Sequence, residues 1–145
     1  MKKFFAAAAI AAALTCSAPA IAQDSSYELG SLWSIGMIDV EDGQFEAYMD
    51  WLNGRWKDNQ RFAKQQGWLL EYHILSNDNN RAGEPDLYLI TRYADYPSNA
   101  ELKRREAIML KHNQSDVRTM DKESGNRVKM RTQMGSMLLR ELTQK

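Results

Sequence analysis

The stretch LLEYHILSNDNNRAGEPDLYLITRY, residues 69–93, decides the fold. Two apolar, aromatic-rich runs flank ten residues dominated by Asn, Asp, Gly and Pro, the composition of a hairpin connection longer than the tight two-residue type. Extended back to Trp68, the first run places Trp68, Leu70, Tyr72 and Ile74 on one face, and Leu69, Glu71, His73 and Leu75 on the other. The second run separates Leu87, Leu89, Thr91 and Tyr93 from Tyr88, Ile90 and Arg92. Both faces of each strand are therefore largely apolar, and one face also carries charge.

Upstream, LGSLWSIGMIDV (29–40) divides into Trp33, Ile35 and Met37 on one side and Leu32, Ser34, Gly36 and Ile38 on the other, a strand with two apolar faces. Ser34 and Gly36 leave room for a close-packed helix or a ligand, and close packing is the expectation. Next, Phe45, Tyr48, Met49, Leu52, Trp56 and Ala63 recur at helical spacing, predicting an amphipathic helix of about five to six turns that ends at Gly67. Gly54 interrupts it at a cost of about 1 kcal/mol, which implies a close neighbour. Downstream of the hairpin, Ser98 and Glu101 form a capping box. Leu102, Met109, Leu110, Val117 and Met120 continue a helical stripe toward Gly125, with Lys103, Arg104, Arg105 and Lys111 on its solvent side. MGSMLLREL (134–142) alternates as a last strand, with a start further back, near Val128, left open.

The N-terminus opens Met1-Lys2-Lys3, continues as an apolar run and reaches Ala20-Ile21-Ala22, the layout of a secretory signal peptide cleaved after Ala22. Its apolar core of about a dozen residues is short of the roughly 20 that span a bilayer. Cys16 lacks the preceding residues of a lipoprotein signal. Residues 1–22 thus read as the signal, 23–30 as a flexible tail and 31–145 as one domain, periplasmic or secreted. Cleavage removes Cys16, the one cysteine, so no disulfide supports the mature core. It also removes two of 19 basic residues and none of 19 acidic ones, leaving a net charge near −2. That balance argues against nucleic acid or an anionic membrane as partner.

The order strand, helix, strand, strand, helix, strand is the split unit of the ferredoxin-like fold, an α+β antiparallel sheet with two helices on one face. Two helices cover one face, yet the other also presents large apolar side chains; the economical cover is a second copy of the chain, giving a homodimer. In this order, the long aromatic first helix, the long hairpin and the short last strand, residues 31–142 resemble the dimeric α+β barrel group of the ferredoxin-like fold. That group includes cofactor-free monooxygenases, isomerases and haem-degrading enzymes. The resemblance is one of fold and transfers no catalytic residue to a numbered position.

Two constellations are candidates for chemistry. Glu71 and His73 point the same way from one strand, and a register placing Arg92 opposite Glu71 would complete a polar cluster. Glu71 would then fix the tautomer of His73, whose other nitrogen becomes a general base. The plainer reading is a cross-strand ion pair with a histidine satisfied at a subunit seam. Separately, Trp51, Trp56 and Phe62, with Trp33 or Trp68, could line a pocket between the first helix and the sheet, to which Tyr48, Arg55 and Tyr72 contribute polar groups; the plainer reading of such a stripe is core. His112 reads as a solvent-exposed helix residue. Two histidines at unrelated places and no clustered carboxylates point to no metal and no cofactor. No nucleophile elbow, phosphate loop or dinucleotide fingerprint occurs. The expected function is binding of a small apolar or aromatic ligand; the alternative is a cofactor-free monooxygenase or isomerase acting on an aromatic substrate.

Overall fold

A computed structural model describes residues 25–145. The signal peptide expected over residues 1–22 lies outside the described residues. The chain is α+β, with one four-stranded antiparallel sheet: β1 (Tyr27–Val40), β2 (Glu71–Ser76), β3 (Leu87–Tyr93) and β4 (Arg131–Gln144), in the order β2-β3-β1-β4. Between β1 and β2 run α1 (Phe45–Trp51), a π-helical turn (Leu52–Trp56) and α2 (Lys57–Gln65). Between β3 and β4 run α3 (Asn99–His112) and α4 (Val117–Asn126).

Register in β1 sets the two faces of the sheet. Leu32, Ser34, Gly36 and Ile38 pair across from Tyr93, Thr91, Leu89 and Leu87, and these residues face the helices. Ile38 and Leu87 are buried with Tyr48 of α1 and Leu52 of the π turn, and Met49, Ile74 and Leu89 pack around them. The opposite face carries Trp33, Ile35 and Met37 of β1 beside Tyr88 and Ile90 of β3. No helix among the described residues packs there: Leu75 is 50 % exposed and Leu139 49 %. The expectation of a second, uncovered apolar face is met.

Several boundaries differ from the sequence reading. The tail expected over residues 23–30 is strand from Tyr27, because Tyr27, Glu28 and Leu29 pair with Gln144, Thr143 and Leu142 of a last strand longer than expected. A bulge follows Leu29; a second, at Met37/Ile38, lies opposite Gly135, whose φ of 150° suits glycine. Gly54 has no neighbour within 4 Å of a built Cβ, so no close approach explains it. It lies instead in the π turn, whose extra residue widens the helical repeat. Gly67 (φ 72°) ends α2 as expected: its amide donates to the Lys64 carbonyl and that of Trp68 to Ala63, while Phe62 meets the Trp68 ring edge-on.

The helical stripe over residues 102–120 is not one helix. Gln114 takes a left-handed conformation (φ 47°), with its amide on the Lys111 carbonyl and that of Ser115 on Leu110, closing α3 in the same manner that Gly67 closes α2. Asp116 then starts α4 by accepting the Thr119 amide at 2.8 Å. A side chain at Gln114 is strained by about 1 kcal/mol, and the Asp116 cap stabilises by a similar amount. Gln114→Gly is therefore expected to raise the urea midpoint and Asp116→Ala to lower it, each by the equivalent of about 1 kcal/mol; opposite signs would disprove this account of the break.

Candidate functional site

At the end of the sheet away from the Ile38–Leu87 cluster, β1 offers Leu32 and then the small Ser34 toward the helices. Helices α2 and α3 bridge over this position without filling it, leaving a cavity of about 490 Å³. Its floor is Leu32, Ser34, Tyr93 and Leu138, from three adjacent strands. Asn59, Gln60 and Ala63 of α2 form one wall, and Leu102, Arg105 and Met109 of α3 the other. Trp68 closes one side, and Asp95, Tyr96 and Pro97 lie on the rim. Thr91 bonds the Tyr93 hydroxyl at 3.1 Å, next to Ser34 in register. The lining is thus an apolar body with a few polar groups, in the size range of small-molecule sites.

Two ion-pair groups frame the rim. Glu101, in the first turn of α3, accepts from Arg104 Nε and Nη2 at 2.7 and 2.8 Å and from Arg105 Nε at 2.7 Å. The Arg104 hydrogen bonds, followed by that from Arg105, hold its carboxyl down at about 2. Both guanidinium carbons lie over the Trp68 ring, 5.8 and 5.5 Å from its centroid. Asp95 accepts from Arg140 at 2.9 Å, which holds that carboxyl below its ordinary range. Arg105, expected on the solvent side of the helix, is only 25 % exposed and lines the cavity. His112, expected to be solvent-exposed, instead joins the two helices: it stacks on Phe62 at 3.9 Å and meets Asp58 at 2.9 Å.

Apart from Ser34 and Trp68, the residues singled out in the sequence fall elsewhere. Glu71 does pair with Arg92 across β2 and β3, the two side chains are in contact, and His73 Nε2 lies 3.6 Å from Glu71. The trio lies on the open sheet face, where Arg92 stacks over Trp33 at 5.3 Å; the His73 side chain is 51 % exposed. Glu141 joins them from β4, accepting from Ser31 at 2.6 Å. Tyr48, 1 % exposed, stacks on Trp51 in the core, and its hydroxyl has no partner among the described residues. Burial raises its pKa above the ordinary tyrosine value. Arg127 covers Trp51 at 4.5 Å, Arg55 faces Glu123 at 3.7 Å, and Trp56 meets the Tyr72 ring edge-on. Of the residues read as lining a pocket, Trp68 does line the 490 Å³ cavity; Trp33, Tyr48, Trp51, Arg55, Trp56, Phe62 and Tyr72 do not, nor do Glu71, His73 and Arg92. Ser34 was the signal for it, as a small residue in an otherwise bulky strand.

Among the described residues no group of three His, Cys, Asp or Glu is placed to hold a metal, and no helix is long and apolar enough to cross a membrane. Comparisons with family models, with curated proteins and with solved structures gave no match.

The low pKa of Glu101 has a defined consequence for stability. A carboxyl whose folded pKa lies below its unfolded value, here 4.5, stabilises above that value, and the contribution is lost as pH falls toward about 2. Wild type should exceed Glu101→Gln in urea midpoint at pH 7, and the gap should close between pH 4.5 and 2. A gap that stays constant over this interval would contradict the ion-pair assignment.

Proposed function

We propose that the mature protein is an exported, homodimeric domain of the ferredoxin-like, dimeric α+β barrel type that binds a small apolar or aromatic molecule between α2, α3 and the sheet. The observation that carries the binding reading is the cavity of about 490 Å³ with its predominantly apolar lining. An engineered protein cavity of about 150 Å³ takes benzene, so this one has room for two or three fused rings. The strand order β2-β3-β1-β4, with a helical segment after β1 and another after β3, supports the fold assignment. The apolar outer face of the sheet supports pairing with a second copy, and the signal-like sequence over residues 1–22 supports export.

The monooxygenase or isomerase reading used His73 for proton transfer, with Glu71 and Arg92. Those side chains lie on the sheet face opposite the cavity floor, so they do not meet a molecule held there. Binding is therefore the function the geometry favours.

Ser34 on the cavity floor provides the test. Naphthalene should quench tryptophan fluorescence of the mature wild type, because Trp68 lines the cavity, and Ser34→Trp should abolish this by filling the space. Thermal melting and circular dichroism should show that the variant still folds. Absence of naphthalene binding to the wild type, or undiminished binding to a folded Ser34→Trp, would refute the reading.

A further inference from the structure

We infer that the molecule held in the cavity is an acid, an apolar body ending in one carboxylate, and that Arg105 receives that carboxylate at the rim. The inference rests on the proposed binding reading and deepens it.

The first observation is the way Glu101 divides its oxygens. Arg104 bonds both of them, through Nε to Oε2 and Nη2 to Oε1, in a fork that satisfies the carboxylate. Arg105 reaches the same Oε1 through Nε alone. Among the described residues, its two terminal nitrogens make no hydrogen bond. They form the guanidinium edge that matches a carboxylate in geometry, and Arg105 is the cationic residue that lines the cavity.

The second observation is the charge around the rim. Arg104, Arg105 and Arg140 stand against Glu101 and Asp95, leaving one positive charge in excess. Asp95, the acidic residue that lines the cavity, is neutralised by Arg140 and so does not repel an incoming anion. Of these guanidinium groups Arg105 alone lines the cavity, so a carboxylate at the rim meets its open edge, which a neutral ligand leaves unused. Packing against Trp68, 5.5 Å from the guanidinium carbon, holds Arg105 in place and reduces the order it must acquire on binding. Arg104 can keep Glu101 satisfied when Arg105 turns to the ligand, so no buried charge is stranded by the exchange.

The test compares 2-naphthoate with 2-naphthamide, a neutral molecule of nearly the same shape, on the mature protein by isothermal titration. A charge-assisted hydrogen bond predicts that naphthoate binds at least about tenfold more tightly. Arg105→Met should bring naphthoate down to the naphthamide level, and Arg105→Lys should keep part of the preference. Glu101→Gln, which releases Arg105 Nε, should strengthen naphthoate binding; this variant also serves if Arg105→Met does not fold. Equal affinities in the wild type, a preference that survives Arg105→Met, or weaker naphthoate binding by Glu101→Gln would overturn the carboxylate inference while leaving the cavity reading intact. If neither compound binds, both fall.

Discussion

The alternation of β1 is the constraint on which the rest depends. As a central strand it is paired on both edges, to β3 and β4, so its register is fixed by two ladders at once. A shift by one residue would exchange Leu32, Ser34, Gly36 and Ile38 for Trp33, Ile35 and Met37 beneath the helices. The bulky set could not fit where Ser34 and Gly36 now sit. The small-large contrast between the two faces therefore selects the face that takes the helices. It also leaves an apolar layer of Trp33, Ile35, Met37, Tyr88, Ile90 and Leu139 on the other side, where fully burying one such side chain is worth about 1.5–3 kcal/mol.

Beneath the helices the packing is uneven, and the unevenness makes the site. At the Ile38–Leu87 end, Tyr48 and Leu52 fill the space between α1 and the sheet. At the Ser34 end the floor residue is small, and the helices bridge the gap without filling it. The same small side chain that fits β1 beneath a helix layer thus supplies the volume of the cavity. The ionic groups that frame it come from the start of α3 and from β4, elements that meet only in the folded chain.

Much of the architecture was legible in the sequence because it follows from period and punctuation. The two faces of each strand, the end of α2 at Gly67 and the Ser98 cap on the Glu101 amide rest on local rules that the tertiary structure left in force, whereas the Glu101 side chain turns to Arg104 and Arg105 instead of closing the capping box, and the Glu71–Arg92 pairing depended on a register the sequence left open. The break at Gln114 was hidden because the left-handed position there is held by a glutamine, not the glycine that usually marks it. The cavity was legible only in part, through Ser34 and Trp68, for a different reason. Its lining draws one to three residues from each of several elements, and the aromatic stripe of the first helix, the louder signal, went into the core: Tyr48 and Trp51 stack on each other within it. Arg105 looked like one charge among many on a solvated face, and only the placement of α3 across the sheet turns it toward the cavity.

The open sheet face remains the central claim, since an apolar layer of this extent is stable in water when something covers it, and a second copy offers a complementary surface by symmetry. Sedimentation velocity of the mature protein over a dilution series measures this directly, with a variant in which Ile35 and Ile90, neighbours at the middle of that face, are both changed to lysine. The account predicts a dimer for the wild type and a folded monomer for the Ile35→Lys/Ile90→Lys variant. A wild type that sediments as a monomer at every concentration, or a double variant that still dimerises, would contradict it.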